Sequence, residues 1–201
     1  MTTSVRVKTV LFSVIHDALH IYLPDRRLPQ GVLMKGFSMN RIAMENIEKV
    51  AGRIVNESYL EQLYTFSHPY EEGMEVAVVY YLLINEDKLN RDFSEAWISA
   101  EKVTVHFPEY GILTYALQRL RWKVEYTNVV YSLLPREFTL SELQKIYEVI
   151  LGKKLDKRNF RKKIMSLGLL RSSGRKRVGL KARPAKMFMF KRRTPVMVNV
   201  F

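Results

Sequence analysis

The chain has 201 residues, enough for one or two domains, and 47% of them are hydrophobic, so it can bury a sizeable core. It contains no cysteine, which excludes disulfides and cysteine-based metal sites and is compatible with a cytoplasmic location. Its formal net charge of +13 favours a polyanionic partner. No apolar run approaches the ~20 residues of a membrane span, and the four histidines lack metal-ligand spacing. We therefore expect no membrane association, no metal site and no cofactor.

The charge is divided unevenly along the chain. Ile112–Phe201 holds 22 Lys and Arg against 5 Asp and Glu, whereas residues 1–111 hold 11 against 15. This asymmetry predicts two modules, of which the strongly basic one meets a polyanion. An anionic membrane is an alternative partner, but no amphipathic helix with an exposed aromatic face is apparent.

The first half of the chain shows mainly strand patterns. Val5–Leu23 alternates loosely, which predicts a hairpin or two adjacent strands with a turn at Asp17–Ala18, and a loop of breaker residues follows up to Gly31. Ser38–Gly52 has helical spacing, with Ser38 as its cap. Three further strand segments are predicted: Tyr59–Phe66, Glu75–Leu83 and, as a pair or as one strand with a turn, Ala96–Phe107.

A boundary is predicted near Tyr110–Gly111, after which Leu113, Ala116 and Leu120 begin a helix. Strands with one helix therefore come first, and helices follow. We predict an α+β protein with two domains, 1–108 and 109–201.

The segment that follows predicts two short helices and a tight turn. Thr139 and Glu142 have the spacing of a capping box, and Gly152 ends the first helix. Asp156 is the predicted N-cap of the second helix, Lys157–Leu167. A basic, glycine-containing stretch and the strand Met187–Phe190 come next, and we interpret them as a two-stranded wing.

A helix-turn-helix places the N-terminal residues of its second helix against base edges in the major groove. Arg158, Asn159 and Arg161 are the candidates for base contact, because Arg can recognise guanine and Asn adenine. Basic residues around them are the candidates for phosphate contact. They are Lys153, Lys154, Lys157, Lys162, Lys163, Arg175, Lys176 and Arg177. The alternative is a three-helix packing module with a solvated basic face.

Three segments together resemble the Nudix-related transcriptional regulators. They are YLEQLYTF (Tyr59–Phe66), ILTYALQRLR (Ile112–Arg121) and FTLSELQKIYEVILGKKLDKRNFRKKI (Phe138–Ile164). The resemblance implies a Nudix-like α/β/α sandwich followed by a winged helix-turn-helix domain. Known members repress genes of NAD biosynthesis and sense ADP-ribose, and relatives regulate sugar catabolism. The resemblance therefore implies a homodimeric repressor of metabolic genes that binds a near-palindromic operator and responds to ADP-ribose or a sugar derivative.

Nudix enzymes carry a sequence box whose glutamates hold a divalent metal against a diphosphate. Gly31 and Gly52 stand at the two ends of this box with the family's spacing, but Phe37 occupies its first glutamate position. Glu45-Asn46 replaces its Arg-Glu pair, and Lys49-Val50 replaces its final Glu-Glu pair. Lysine and valine cannot replace metal-binding carboxylates, so we predict a scaffold helix and no Nudix hydrolysis.

The resemblance also locates a ligand site, whose candidate lining residues are Arg26, Arg27, Gln30 and Glu61. Two loops that lie near the ligand in Nudix folds, Leu23–Gly31 and Ser67–Met74, are short here. The domain could therefore have lost its ligand and serve as a dimerisation platform.

Two other classes of protein stay open. An unorthodox nucleotide-sugar hydrolase, with the winged helix as its targeting module, would need metal-binding carboxylates from outside the box. Glu71, Glu72 and Glu75 are the candidates. An RNA-binding or purely structural role is the other alternative, but the sequence lacks a stacking motif for bases.

Overall fold

The computed structural model describes residues 2–51, 59–70, 73–179 and 182–200 of the chain. Internal contacts divide the chain into two compact units, Met1–Arg119 and Leu120–Phe201. The division falls inside the helix Tyr110–Tyr126. Within the described ranges, none of the helices is long and apolar enough to cross a membrane.

Among its described residues, the first unit contains six strands, one α-helix and the first half of a second α-helix. In chain order they are β1 (Thr2–Ile15), β2 (Ala18–Tyr22), β3 (Gln30–Val32), α1 (Met39–Ala51), β4 (Tyr59–Tyr70), β5 (Gly73–Leu83), β6 (Trp97–Ser99) and α2 (Tyr110–Tyr126). The predicted loop before Gly31 thus leads into a short strand, β3, that the sequence did not predict. The segment Ala96–Phe107 contains one strand followed by turns, and the alternative of a strand pair is wrong.

The strands form one mixed sheet in the order β4-β5-β1-β2-β6, with β3 paired to β1. β1 runs parallel to β5 and antiparallel to β2 and β3. The hairpin between β1 and β2 turns at His16 and Asp17, whose φ angles are 48° and 65°. The turn therefore lies one residue earlier than predicted. Two successive positive φ angles match the right-handed twist of the strands.

Helix α1 covers one face of the sheet. Side chains of β1 and β5 face it at every second position, because successive residues of a strand point to opposite faces. Gly31 in β3 lets the helix approach closely, since a Cβ at this position would stand 2.7 Å from Ile42 Cγ2. Ser38 caps α1 as predicted by accepting the Arg41 N–H at 3.2 Å, while Gly52 lies outside the described residues. The buried cluster beneath the helix consists of Val7, Ile42, Ala43, Val78 and Tyr80.

The first half of α2 covers the opposite face. Phe66 of β4 pairs with Ala77 of β5, whose neighbour Val78 packs beneath α1. Phe66 therefore points away from α1. Its ring centroid lies 6.1 Å from that of Tyr115 in α2, and the ring of Tyr64 lies 5.6 Å from Tyr115. With a helix on each face of the sheet, this unit is an α/β/α sandwich, as predicted.

The second unit begins with the end of α2, and its described residues form two more α-helices and a small sheet. The elements are β7 (Phe138–Thr139), α3 (Leu140–Leu151), α4 (Lys157–Ser166), β8 (Leu170–Gly179) and β9 (Ala182–Phe190). β9 lies between β7 and β8 and is antiparallel to both. A helix pair with a short turn, followed by an antiparallel hairpin, is the winged helix-turn-helix arrangement predicted from the sequence.

The ends of α3 and α4 follow from local hydrogen bonds. The capping box is confirmed: the Glu142 N–H donates to Thr139 Oγ1 at 3.2 Å, and the Thr139 N–H donates to Glu142 Oε2 at 2.7 Å. Gly152 ends α3 with a left-handed φ of 67°. Asp156 caps α4 by accepting the Asn159 N–H at 2.8 Å. Both helices therefore begin where the sequence predicts.

The two helices share a buried core. Phe160 and Ile164 of α4 are buried, and the Phe160 ring lies 5.5 Å from that of Tyr147 in α3. Helix α4 ends at Ser166, one residue before the predicted Leu167. The buried side of α4 is therefore the aromatic and aliphatic one, which leaves its basic residues on the outside.

The segment after β9 packs along the end of α2. The Val200 N–H donates to the Glu125 carbonyl at 2.8 Å, and Asn128 accepts the Val196 N–H through Oδ1 at 2.7 Å. Val200 is buried at 1% exposure. The segment after β9 is therefore ordered and bound to the end of α2.

Candidate nucleic-acid interface and ligand cavity

The first turn of α4 presents polar and basic side chains to solvent. Lys157, Arg158, Asn159 and Lys162 are exposed, while Arg161 and Lys163 are half-buried. Phe160, between them in sequence, anchors the helix in the core. All the α4 residues predicted to contact DNA therefore lie outside the hydrophobic contact with α3.

The turn between α3 and α4 is held by Glu148. Its Oε1 accepts the Leu155 N–H at 3.0 Å and the Gln144 side chain at 2.9 Å, and Lys154 Nζ lies 3.3 Å from its Oε2. The Leu155 N–H, with Gln144 and Lys154, lowers the pKa of Glu148 below its ordinary value. Lys153, also predicted to contact phosphate, is exposed in this turn.

The wing carries Arg175, Lys176 and Arg177 on β8, and all three side chains are exposed. Arg175 Nη1 lies 3.2 Å from Glu137 Oε2, before β7. Arg177 forms an ion pair with Glu142, the capping residue of α3. Two of the three predicted wing cations thus form ion pairs with carboxylates of the same unit.

The first unit contains a cavity of about 500 Å³ on the sheet face that α1 does not cover. Its charged wall is a network. Lys8 Nζ lies 3.2 Å from Glu75 Oε1 and 3.6 Å from Glu109 Oε1, and Arg6 Nε lies 2.9 Å from Glu75 Oε2. The Leu28 N–H donates to Glu109 Oε2 at 3.3 Å. The lining residues are Arg6, Lys8, Arg27, Gln30, Phe66, His68, Glu75, Pro108, Glu109, Gly111 and Ile112.

Two of the four predicted ligand residues, Arg27 and Gln30, line this cavity. The Arg26 guanidinium instead lies 4.5 Å from the ring centroid of Phe107. Glu61 is not in the lining. The structure therefore brings together half of the set that the sequence proposed.

Glu61 lies in a separate tyrosine cluster. It accepts hydrogen bonds from the Tyr59 hydroxyl and, at 2.6 Å, from the Tyr81 hydroxyl. Burial, and then the hydrogen bond to Glu61, raises the pKa of the Tyr81 hydroxyl far above its ordinary value. The Tyr81 hydroxyl is therefore a neutral donor, and Tyr59 and Tyr81 together hold Glu61.

The sequence reasoning missed Arg6, Lys8 and Glu109. The signal for the first two is visible in β1, where they alternate with Val5 and Val7. Such alternation places both cations on the face opposite the valines. Glu109 has no comparable local signal, because it reaches Lys8 only through the tertiary fold.

The helix at the position of the Nudix box has structural contacts of its own. Asn46 is buried and donates to the Val7 carbonyl and to Thr9 Oγ1, both at 3.4 Å. Glu45 forms an exposed ion pair with Arg41 at 3.0 Å. Of Lys49-Val50, only the backbone is described. Asn46 therefore fastens α1 to β1.

The fold and the two sites together define a class of protein. An α/β/α sandwich with a polar cavity is joined to a winged helix-turn-helix unit whose α4 presents basic side chains, which is the construction of a DNA-binding transcriptional regulator with a sensing domain. Residues 130–190 match the NrtR DNA-binding winged helix domain family.

Full-length comparisons agree with this class. The chain is 30% identical over 202 residues to the ADPR responsive transcriptional repressor NtrR of Acinetobacter baylyi, covering 92% of this chain and 80% of that protein. It is similar to Shewanella oneidensis NrtR crystallised with a 27mer DNA, with a TM-score of 0.79, 25% identity and 93% of each chain covered. A MutT/nudix family protein from Enterococcus faecalis shares the fold, with a TM-score of 0.70, 22% identity, and 96% of this chain and 89% of that chain covered. The chain belongs to the NrtR family of transcriptional regulators.

Proposed function

We propose that this protein is a repressor that binds duplex DNA through its winged helix and is controlled by ADP-ribose, or by a related sugar derivative, in the cavity of its Nudix-like unit. The observation that carries the proposal is the match, over 92% of the chain, to a repressor described as ADPR responsive. The similarity to NrtR crystallised with DNA supports the DNA-binding part. Metabolic genes, such as those of NAD metabolism, are the proposed targets.

On DNA, α4 enters the major groove. Arg158, Asn159 and Arg161 contact base edges, because they occupy the N-terminal half of the helix, which approaches the bases in this motif. Lys157, Lys162 and Lys163 of α4, Lys153 and Lys154 of the turn, and Arg175, Lys176 and Arg177 of the wing contact phosphates. The exposure of α4's first turn supports this assignment.

The cavity suits a ligand that carries both phosphate and hydroxyl groups. Arg6, Lys8 and Arg27 supply positive charge for phosphate oxygens. The carboxylates of Glu75 and Glu109 can accept hydrogen bonds from sugar hydroxyls or an amino group. The combination of cations, carboxylates and the Phe66 ring in a volume of about 500 Å³ supports a nucleotide-sugar ligand.

In this proposal the protein binds its ligand without hydrolysing it. Phe37 and Asn46 stand at two glutamate positions of the Nudix box, and the amide of Asn46 is engaged with β1. The alternative is a hydrolase that takes carboxylates from outside the box. Of its candidates, Glu75 is neutralised by Arg6 and Lys8, and Glu71 and Glu72 lie outside the described residues. A Mg²⁺-dependent turnover assay on ADP-ribose separates the two functions, since measurable turnover would support the hydrolase.

The repressor is proposed to act as a homodimer in the cytoplasm, with residues 1–108 sensing the ligand and residues 109–201 binding DNA. Two-fold symmetry would require a near-palindromic operator with half-sites about one turn, ~10 bp, or a multiple apart. Selection of random duplexes on the purified protein at ~150 mM salt tests this point. A symmetric enriched sequence is the expected outcome.

The deciding experiment titrates ADP-ribose into the complex of the full-length protein with the selected duplex, using fluorescence anisotropy. We expect ADP-ribose to change DNA affinity by no more than the ratio of its affinities for the free and bound protein. Arg27→Gln is the matched variant, since Arg27 is exposed at the cavity: it should lose the response and keep DNA binding. If ADP-ribose changed the DNA affinity of this variant as much as that of wild type, the cavity would not be the ligand site.

A further inference from the structure

Three neighbouring cations of the wing differ in their surroundings. Arg175, Lys176 and Arg177 are consecutive residues of β8, and the pairing of β8 with β9 is irregular between Ser172 and Lys176. The arginines reach Glu137 and Glu142, respectively. Lys176 has no ion-pair partner among the described residues. Within this triplet, therefore, the described structure leaves the lysine free and neutralises both arginines.

Both carboxylates lie at the start of α3. Glu142 carries out two tasks there: its Oε2 accepts the Thr139 N–H of the capping box, and its Oε1 faces Arg177. Arg161 of α4 reaches the same place, with Nη2 donating to Ser141 Oγ at 3.2 Å. Three of the predicted DNA-contacting arginines thus converge on this helix start.

These ion pairs lie at the surface, where such pairs are weak and easily exchanged. Arg175 is 77% exposed, and Arg177 and Glu142 are 49% and 38% exposed. A DNA phosphate can therefore replace the carboxylate when the protein binds in a position that brings the phosphate close to the arginine. When the protein binds loosely, both arginines keep their ion pairs with Glu137 and Glu142.

We propose that Glu137 and Glu142 are specificity-determining residues, which hold Arg175 and Arg177 away from DNA until the recognition helix is seated on its operator. Non-specific binding depends almost entirely on phosphate contacts and their counterion release. Non-specific binding therefore lacks the phosphate contacts of both arginines. The specific complex makes these contacts, because its fixed position on the operator brings phosphates close to the wing.

The test compares Glu142→Gln, Glu137→Gln and the double variant with wild type, all as full-length protein. Glu142→Gln retains an amide oxygen for the Thr139 N–H, so the capping box, which accepts either residue type, is preserved. Glu137→Gln makes the same test outside the capping box. Glu48→Gln, on the exposed side of α1 in the first unit, is the control for a change of one unit in net charge.

Affinity for a random-sequence duplex and for the selected operator is measured by anisotropy over a range of salt concentrations. One regained phosphate contact corresponds to a slope change of about −0.9 in log K against log salt, and hence to roughly five-fold in affinity at ~0.15 M salt. We expect this gain on random DNA for each single variant and twice the slope change for the double variant. The operator should gain less, so the ratio of specific to non-specific affinity falls.

Arg177→Gln completes a double-mutant cycle. In the wild-type background it should hardly change the affinity for random DNA, whereas in the Glu142→Gln background it should cancel the gain. Equal losses in both backgrounds, or equal gains on random and operator DNA in the glutamine variants, would overturn the inference. The inference would also be overturned if Glu137→Gln and Glu142→Gln changed DNA affinity only as much as Glu48→Gln does.

The inference rests on the proposed DNA binding, and the two can fail separately. If wild type binds neither duplex, the proposed function is refuted. If wild type prefers its operator but the glutamine variants leave the specificity ratio unchanged, the function stands and the role of Glu137 and Glu142 is refuted.

Discussion

The two units differ in how their positively charged side chains are solvated and paired. In the first unit, Lys8 is 8% exposed and lies between Glu75 and Glu109, the latter also 8% exposed. In the second unit, Arg158 and Lys162 are exposed on α4 and have no ion-pair partner among the described residues. Basic side chains are therefore paired with carboxylates at the cavity of the first unit, whereas on α4 of the second unit they form an open cationic surface.

The difference follows from solvation. A buried charge loses its hydration and is tolerated only when a partner and hydrogen bonds replace the water. An exposed charge keeps its hydration and its counterions, and it gains binding energy when a polyanion releases those counterions. Removing a cation should therefore affect folding in the first unit and DNA affinity in the second.

The largest expected effect is in the first unit. Lys8→Ala leaves the carboxylates of Glu75 and Glu109 without the cation between them, and breaking a buried ion pair in this way costs roughly 3–5 kcal/mol. We expect a loss of about 3 kcal/mol in the free energy of unfolding, because the pair is only partly enclosed. Urea unfolding followed by Trp97 fluorescence, in a Trp122→Phe background, reports on this unit.

The control is a pair in the same unit that water reaches. Arg41 and Glu45 form an ion pair at 3.0 Å, with side-chain exposures of 60% and 45%. Arg41→Ala should cost at most about 1 kcal/mol. Similar losses for Arg41→Ala and Lys8→Ala would show that burial does not separate the two kinds of pair.

The next effect concerns base recognition in the second unit. If Arg158 contacts a base, Arg158→Ala should weaken operator binding by roughly 1–3 kcal/mol and relax the preference at one base position. Lys162→Ala is the comparison, since a phosphate contact should weaken all sequences alike. Repeating the duplex selection with both variants checks this. An unchanged sequence preference for Arg158→Ala would remove it from the base contacts.

The sequence was most informative where the interactions are local. The capping box at Thr139 and Glu142, the left-handed Gly152 and the cap at Asp156 all depend on residues within a few positions of one another. Their residue types are strongly selected by backbone geometry. The start of α4, and with it the exposed position of Arg158, therefore followed from the sequence.

The cavity depends on distant residues, and the sequence was correspondingly less informative there. Glu109 meets Lys8 from far along the chain, through the packing of the turn before α2 on β1, which local patterns do not encode. Arg27 and Gln30 were proposed from the resemblance and line the cavity, whereas Arg6 was missed although it alternates with apolar residues in β1. The contact of Glu61 with Tyr81 likewise depends on the pairing of β4 with β5.

A smaller effect distinguishes cations within the wing. Lys176→Ala should reduce the slope of log K against log salt on random DNA by about one, with a several-fold loss of affinity, because a free lysine makes one phosphate contact. Arg177→Ala should change this slope less, since Glu142 already neutralises that arginine. Equal slopes for the two variants would show that the wing cations act alike.

The smallest effect is a pH-dependent one at the turn between α3 and α4. The Leu155 N–H, Gln144 and Lys154 stabilise the charged form of Glu148 and lower its pKa in the folded protein. A lowered folded pKa gives stability that is present above the ordinary carboxyl pKa and is lost as pH falls through the folded value. Glu148→Gln keeps an acceptor for the Leu155 N–H but removes the charge, so it should cost about 1 kcal/mol at about pH 7.

Thermal unfolding of Glu148→Gln and wild type between about pH 7 and about pH 3, followed by Trp122 fluorescence in a Trp97→Phe background, measures this contribution. The two proteins should differ at neutral pH and converge in the acid range, because wild-type Glu148 becomes neutral there. A difference that persists at the acid end would show that the substitution acts through packing or geometry. Convergence would show that the charge of Glu148, held by the Leu155 N–H, Gln144 and Lys154, and not its packing, stabilises this turn.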